Sequence, residues 1–315
     1  MSGAAKERIG DRTVIASVSG GKDSTAMCLH LKELGIPYRA VFMDTGWEHE
    51  DVYRYLEDEL PKHIGPIKVL RRHIEVKPGR EAVVSRLEEM LGRESPMVRL
   101  VINRGTFPSR TRRICTPEIK IRPFREYLDA LDVEPVVTVG VRASESLARS
   151  RLPEWERWSD SDCDQWRPLI AWTDDQVVAI HQRHDVPPNP LYLRGAHRVG
   201  CWPCIFARKS EIRNLSETDP GRVDFMRELE QAVMEIARDR YAEQGETFES
   251  KGYQPPAWFT RPTRDPSGHR PPWPFDKVIE WSRTSHGGRQ IEWLTAPPRE
   301  WGCMRWGVCD TGGVR

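Results

Sequence analysis

The sequence predicts an α/β fold: a doubly wound, mostly parallel sheet with helices on both faces, plus an irregular Trp/Pro-rich C-terminal extension. Three observations carry this prediction. A β-rich run, Thr13–Val18, leads into a glycine turn and then a helical pattern. Strand and helix patterns alternate from there to about residue 140, as βαβ units do. Beyond residue 150 the composition changes, and residues 252–300 are crowded with Pro, Trp and Arg.

The elements follow in order. After the turn at residues 19–24, Thr25–Leu34 has a helical pattern that Gly35 and Pro37 end. Tyr38–Met43 reads as a second strand, closed by Asp44-Thr45-Gly46. Helical patterns occupy about 49–61 and 79–93, with a short strand at Ile67–Leu70 between them. A helix near 117–131 precedes the strand Pro135–Gly140. Segment 153–168 is rich in Trp, Asp and Arg, and further helices are expected at 173–184 and 208–246. The six tryptophans Trp258, Trp273, Trp281, Trp293, Trp301 and Trp306 either stack on unpaired bases or fill a small irregular core.

Composition removes several classes of function. Among 315 residues, 48 Lys and Arg balance 47 Asp and Glu, for a net charge of +1. A surface that grips phosphates everywhere is excluded, though a local basic patch such as Arg110, Arg112 and Arg113 is not. No run approaches the roughly 20 apolar residues that span a bilayer, so no membrane partner is expected. Met1–Gly20 lacks the pattern of a secretory signal, which points to the cytoplasm. There the seven cysteines read as metal or redox chemistry rather than a disulfide framework.

Residues 19–24, Ser-Gly-Gly-Lys-Asp-Ser, form an anion site by construction. Gly20 and Gly21 allow a tight turn and close ligand approach. The helix that follows offers unpaired N–H groups and its positive dipole end. Lys22 adds a point charge, and Ser19 and Ser24 add hydroxyl donors. The spacing is not that of a Walker A loop. Asp44 stands at a strand's carboxyl end, where open α/β sheets bind ligands, and reads as an Mg²⁺ or nucleotide-orienting carboxylate or as a turn residue. Asp23 reads as a second Mg²⁺ candidate or an N-cap. Arg142 and Arg149 also follow a strand, with Glu145 between them; their planar forks suit phosphate or sulfate, or they belong to a solvated helix face with Glu145 and Arg149 as an i,i+4 pair. Cys201 and Cys204 have the spacing of a redox pair, half a zinc site or half an iron–sulfur site. Cys28 falls on the apolar face of the first helix and reads as core.

The Ser19–Ser24 loop resembles the pyrophosphate loop of the N-type ATP pyrophosphatases and the phosphoadenosine phosphosulfate (PAPS) reductase superfamily. Asp44-Thr-Gly-Trp-Glu48, Cys115-Thr-Pro-Glu-Ile-Lys120-Ile-Arg-Pro123, Gly140-Val-Arg142-Ala-Ser-Glu145-Ser-Leu-Ala-Arg149 and Asn189-Pro-Leu-Tyr192 with Gly200-Cys-Trp-Pro-Cys204 resemble its later segments, in order. The resemblance spans about 13–210. It implies a nucleotide-binding α/β domain over 1–150, a helical, cluster-binding continuation of the same fold over 151–250, and an extension over 251–315. It implies ATP with Mg²⁺ at Ser19–Ser24, Asp44, Gly140 and Arg142, and reaction chemistry at Lys22, Asp23, Asp44, Arg142 and Arg149. The superfamily's cluster-bearing members place cysteine where Cys115 stands. Cys115, Cys201 and Cys204 are therefore the expected ligands of a [4Fe–4S] cluster, or of zinc, with Cys309 as the fourth and Cys303 as its alternative.

Three functions fit the resemblance. The first is an ATP-dependent, adenylylating and pyrophosphate-releasing iron–sulfur sulfurtransferase. It is closest in type to the cluster-bearing sulfurtransferases, such as the DNA phosphorothioation enzyme, with DNA or tRNA as acceptor and a cysteine desulfurase or complex partners supplying sulfur. Lys22 in the loop favours a triphosphate. The second is a reductase of adenylylsulfate (APS) or PAPS. The third is a non-catalytic nucleotide- or nucleic-acid-binding module with a structural metal site.

Overall fold

A computed structural model describes residues 2–284 except 253 and 267. A helix α1 (Ser2–Ile9) precedes β1 (Val14–Val18). Then come α2 (Lys22–Glu33), β2 (Tyr38–Asp44), α3 (Glu50–Arg54) and α4 (Leu60–Ile64), the last two joined by a π-turn at Tyr55–Glu59. β3 (Ile67–Arg71), α5 (Glu81–Leu91), α6 (Pro96–Arg104), α7 (Arg122–Asp129) and β4 (Val136–Val139) follow.

The six-stranded sheet runs β3-β2-β1-β4-β6-β5, with β5 at Trp155–Trp158 and β6 at Cys163–Trp166. Every neighbouring pair is parallel except β5–β6. Chain order therefore reverses between β1 and β4. The loops leaving those two strands stand side by side at the crevice where open α/β sheets bind ligands.

Side-chain alternation along β1 builds two layers. Val14, Ala16 and Val18 pack with Met27, Leu29, Phe42, Val52 and Leu56 on one face. Ile15 packs on the other with Val41, Val137 and two residues of α7, Phe124 and Leu128. A third core is helical. It joins α5 and α6 to α10 (Lys209–Thr218), α11 (Pro220–Ala242) and α12 (Phe275–Ser282) around Trp47, which is fully buried.

The α/β reading of the sheet holds. The Trp/Asp-rich segment 153–168, expected to begin a helical continuation, instead supplies β5 and β6, which extend the same sheet. The helix expected over 208–246 is two helices, because Asp219 caps Arg222 N–H at 3.0 Å and Pro220 starts a new first turn. α6, between Ser95 and Gly105, was not anticipated. Trp258, Trp273 and Trp281 belong to the helical core, with Trp258 stacked on Trp47 at 4.7 Å. Trp293, Trp301, Trp306, Cys303 and Cys309 lie outside the described residues. Among the described residues, no helix is long and apolar enough to cross a membrane.

Candidate nucleotide site and thiol cavity

The loop after β1 folds on its own hydroxyls. Ser24 Oγ accepts from Ser19 N–H at 3.2 Å and donates to the Gly21 carbonyl at 3.0 Å. Gly20 takes φ +70°, a left-handed conformation that glycine adopts without strain. Two later elements brace the loop from outside. α8 (Asp174–Arg183) sets His181 Nε2 2.9 Å from the Lys22 carbonyl. The start of α9 (Pro190–Leu193) brings Asn189, which donates to the Gly20 carbonyl at 3.2 Å, and Tyr192, whose hydroxyl accepts from Lys22 N–H at 3.1 Å. Neither Gly20 N–H nor Gly21 N–H has a hydrogen-bond partner among the described residues. These two donors, at the N-terminus of α2, are what an incoming phosphate requires.

Charge is concentrated beside them. Lys22 Nζ lies 3.0 Å from Asp23 Oδ2 and 3.0 Å from Asp174 Oδ1. Arg142, only 3% exposed, places Nε 2.5 Å from Asp23 Oδ1, Nη2 2.7 Å from Asp174 Oδ1 and Nη1 3.1 Å from Ser144 Oγ. Two cations and two carboxylates thus hold one another across the switch point. Asp174 was not singled out in the sequence, since an acidic first turn reads as ordinary helix capping. Gly140 is required for this contact: a Cβ there would stand 2.6 Å from the Asp23 carbonyl oxygen and 2.8 Å from Ser24 Cα.

Arg149 pairs with Glu145, which also accepts from Arg142 N–H at 2.9 Å. Its contact with the network passes through Glu145. Asp44, 1% exposed, is filled by donors: Gly46 N–H at 2.7 Å, Tyr53 OH at 2.9 Å, and Arg71 Nε and Nη2 at 2.7 and 2.5 Å. An ion at Asp44 would have to displace Arg71. Its visible role is to shape the turn at Gly46, where a Cβ would strike Ser95 Cα at 2.5 Å.

That turn leads to the cysteines. Glu48 bridges to Cys201 in antiparallel fashion, Trp202 N–H donates to the Trp47 carbonyl at 2.9 Å, and Trp47 Nε1 donates to the Pro203 carbonyl at 2.9 Å. Cys201 and Cys204 line a cavity of about 190 Å³ with Lys120, Val199 and Arg198. Val199 also faces the loop, 3.9 Å from where a Gly21 Cβ would lie, so one side chain walls both the cavity and the phosphate loop.

Burial pushes the Cys201 thiol up to about 12, with the Lys120 ammonium opposing it, and burial likewise raises Cys115. Lys120 is itself raised to about 12, chiefly by Cys201 and also by Glu48, Cys204 and Cys115. The three thiols and the ammonium share one electrostatic environment. All five described cysteines are free thiols. Among the described residues, no group of three or more His, Cys, Asp or Glu is arranged to hold a metal ion. Cys28 is core, as expected, with its thiol raised to about 12 by burial.

The chain is similar to several known proteins. The chain is 32% identical over 332 aligned residues to an uncharacterized 37.8 kDa protein of Escherichia phage 186, covering 94% of this chain and 96% of that one. It is 37% identical over 111 residues to the adenosine 5'-phosphosulfate reductase of Burkholderia cepacia, covering 35% of this chain and 42% of that enzyme. Among solved structures, the PAPS reductase of Candida auris in a phosphate complex aligns at 17% identity and a TM-score of 0.44, covering 63% of this chain and 86% of that one. The model of the phosphoadenosine phosphosulfate reductase domain matches residues 13–207. The chain belongs to the phosphoadenosine phosphosulfate reductase domain family.

Proposed function

We propose that the chain is an ATP-dependent iron–sulfur sulfurtransferase acting on a nucleic-acid acceptor. ATP is cleaved between its α and β phosphates. An acceptor oxygen attacks the α phosphorus, the bond to the β-phosphate oxygen breaks, and pyrophosphate leaves. The outer sulfur of a persulfide on a desulfurase-type donor then attacks the acceptor, and AMP leaves with the oxygen. A thiol reductant attacks the donor's inner sulfur, breaking the S–S bond, so that the acceptor is released as a thiolate and the donor and that thiol are left as a disulfide.

The observation that carries this reading is the shared wall between the loop and the thiol cavity, formed by Val199. An adenylylated group and a sulfur-handling group need such adjacency. The free N–H groups of Gly20 and Gly21, with Lys22, receive the β and γ phosphates, and Mg²⁺ arrives with ATP. Arg142, oriented by Asp23 and Asp174, adds positive charge beside the loop that stabilises charge developing on the α phosphoryl oxygens. Lys120 sets an ammonium beside the thiols, where it would offset charge on a thiolate once one forms.

Cys115, Cys201 and Cys204 are three soft donors in one environment, a set that suits [4Fe–4S] or zinc in kind, with Cys309 or Cys303 as the fourth. When bound, such a cluster supplies sulfur-binding chemistry.

The kinship to adenosine 5'-phosphosulfate reductases favours a second reading, a sulfonucleotide reductase. Product analysis separates the two. Anaerobic protein given α-labelled ATP, single-stranded nucleic acid, a persulfide donor and a thiol reductant should release labelled AMP together with pyrophosphate, and Lys22→Ala should not. Release of sulfite from adenylylsulfate with a thiol reductant, and no AMP from ATP, would replace the first reading by the second.

A further inference from the structure

We propose that Phe206, together with Arg110, Arg112 and Arg113, forms a docking surface for a single-stranded nucleic-acid segment at the cysteine loop. The proposal deepens the acceptor half of the function above and rests on it.

In a chain of net charge +1, arginines such as Arg12, Arg71, Arg99, Arg142, Arg157 and Arg183 are neutralised by carboxylates. Arg110, Arg112 and Arg113 are all exposed, and none forms an ion pair among the described residues. Instead, Arg110 and Arg113 both approach one aromatic ring, with their guanidinium carbons 5.9 and 5.8 Å from the centroid of Phe206. Phe206 is 37% exposed. Its position is fixed by the neighbouring chain: its N–H donates to Cys204 Sγ at 3.5 Å, and Arg110 Nε donates to the Ile205 carbonyl at 3.4 Å.

An accessible ring beside guanidinium groups that form no ion pair matches what an unpaired base and its flanking phosphates recognise. A duplex hides its base faces, and the carboxylates of an acidic peptide do not stack on the ring. Cys204, two residues from Phe206, lines the thiol cavity, so a strand held here lies beside it.

The test is fluorescence anisotropy with a labelled 12-nucleotide single strand and the full-length protein, at several salt concentrations. The same samples are titrated with ATP as an independent readout. Phe206→Ala should weaken oligonucleotide binding at least about fivefold, whereas Phe206→Tyr should retain it. Replacing all three arginines by alanine should lower the slope of log affinity against log salt by about 2, at roughly 0.7 per phosphate contact, and lysines should restore the slope.

ATP binding should be unchanged in every variant, which also shows that each one folds. If wild type binds the strand and both the Phe206→Ala and the triple-alanine variants bind it equally well, this surface is overturned and the acceptor reading stands. Wild type that binds ATP but no strand overturns the surface and the acceptor together. A duplex that binds as tightly as the single strand, or polyglutamate that displaces the strand with Phe206→Ala silent, overturns base stacking in favour of a general anion patch. Strand binding that persists while ATP binding fails leaves this surface standing and removes the ATP half of the function.

Discussion

Gly140→Ala is the sharpest perturbation of the switch point. The added methyl would lie 2.6 Å from the Asp23 carbonyl oxygen, 2.7 Å from the Asp23 carbonyl carbon and 2.8 Å from Ser24 Cα. All three are backbone atoms, so no rotamer change relieves the contact. Overpacking of this kind costs about 1–3 kcal/mol. Restricting the unfolded chain returns about 0.4–1 kcal/mol, because Gly140 carries no positive φ that alanine would resist. The net loss is about 1–2 kcal/mol, a fall in Tm of about 2–8 °C for a domain of this size. The displaced atoms belong to the first turn of α2, so ATP affinity should fall about tenfold as well. Calorimetric melting and nucleotide titration measure the two effects. Gly221→Ala is the control: its nearest neighbour to a new Cβ is Asp219 Oδ1 at 3.9 Å, and it should leave Tm unchanged or raised. A Gly140→Ala protein with unaltered Tm and affinity would refute the close approach of the two loops.

Further predictions concern the buried groups. Burial raises Glu230 to about 7, although its carboxylate accepts from Trp258 N–H at 2.8 Å and Phe275 N–H at 2.9 Å. Between the ordinary carboxylate range and pH 7 the folded chain holds the extra proton, so stability falls as pH rises through that window. The loss is of order 3 kcal/mol, and Glu230→Gln should flatten it in melts from pH 4.5 to 8. Trp47→Ala removes the stack on Trp258 and the hydrogen bond to Pro203, and should cost about 3–5 kcal/mol in chemical denaturation. Arg142→Lys keeps the charge but cannot reach Asp23, Asp174 and Ser144 together; ATP affinity should fall by more than tenfold, with the far-UV spectrum unchanged.

The strand, glycine loop and helix at Val14–Glu33 were legible because each local signal agrees with the others. α6 was legible in principle: Ser95 caps Val98 N–H at 3.2 Å, Pro96 stands in the first turn, and Gly105 closes the helix at φ +56°. β5 and β6 were not, because four-residue strands carrying Glu156, Arg157, Asp164 and Gln165 show no apolar run. They form where stacked Trp155 and Trp166, 5.1 Å apart, cover the sheet. The loop residues of the nucleotide site were readable as an anion cradle. Asp174 was not, since only the α8 crossover carries it to Lys22 and Arg142. The meeting of Glu48 with Cys201 is equally a product of topology.

The chemistry of the site depends on which nucleotide the Ser19–Ser24 loop holds. Titrating anaerobically purified protein with ATP and Mg²⁺, adenylylsulfate and phosphoadenylylsulfate, alongside Lys22→Ala, tests it directly. The loop should prefer ATP, with a loss of about tenfold or more in the variant as one charge-assisted phosphate contact disappears. Tighter binding of either sulfonucleotide, indifferent to Lys22, would contradict it.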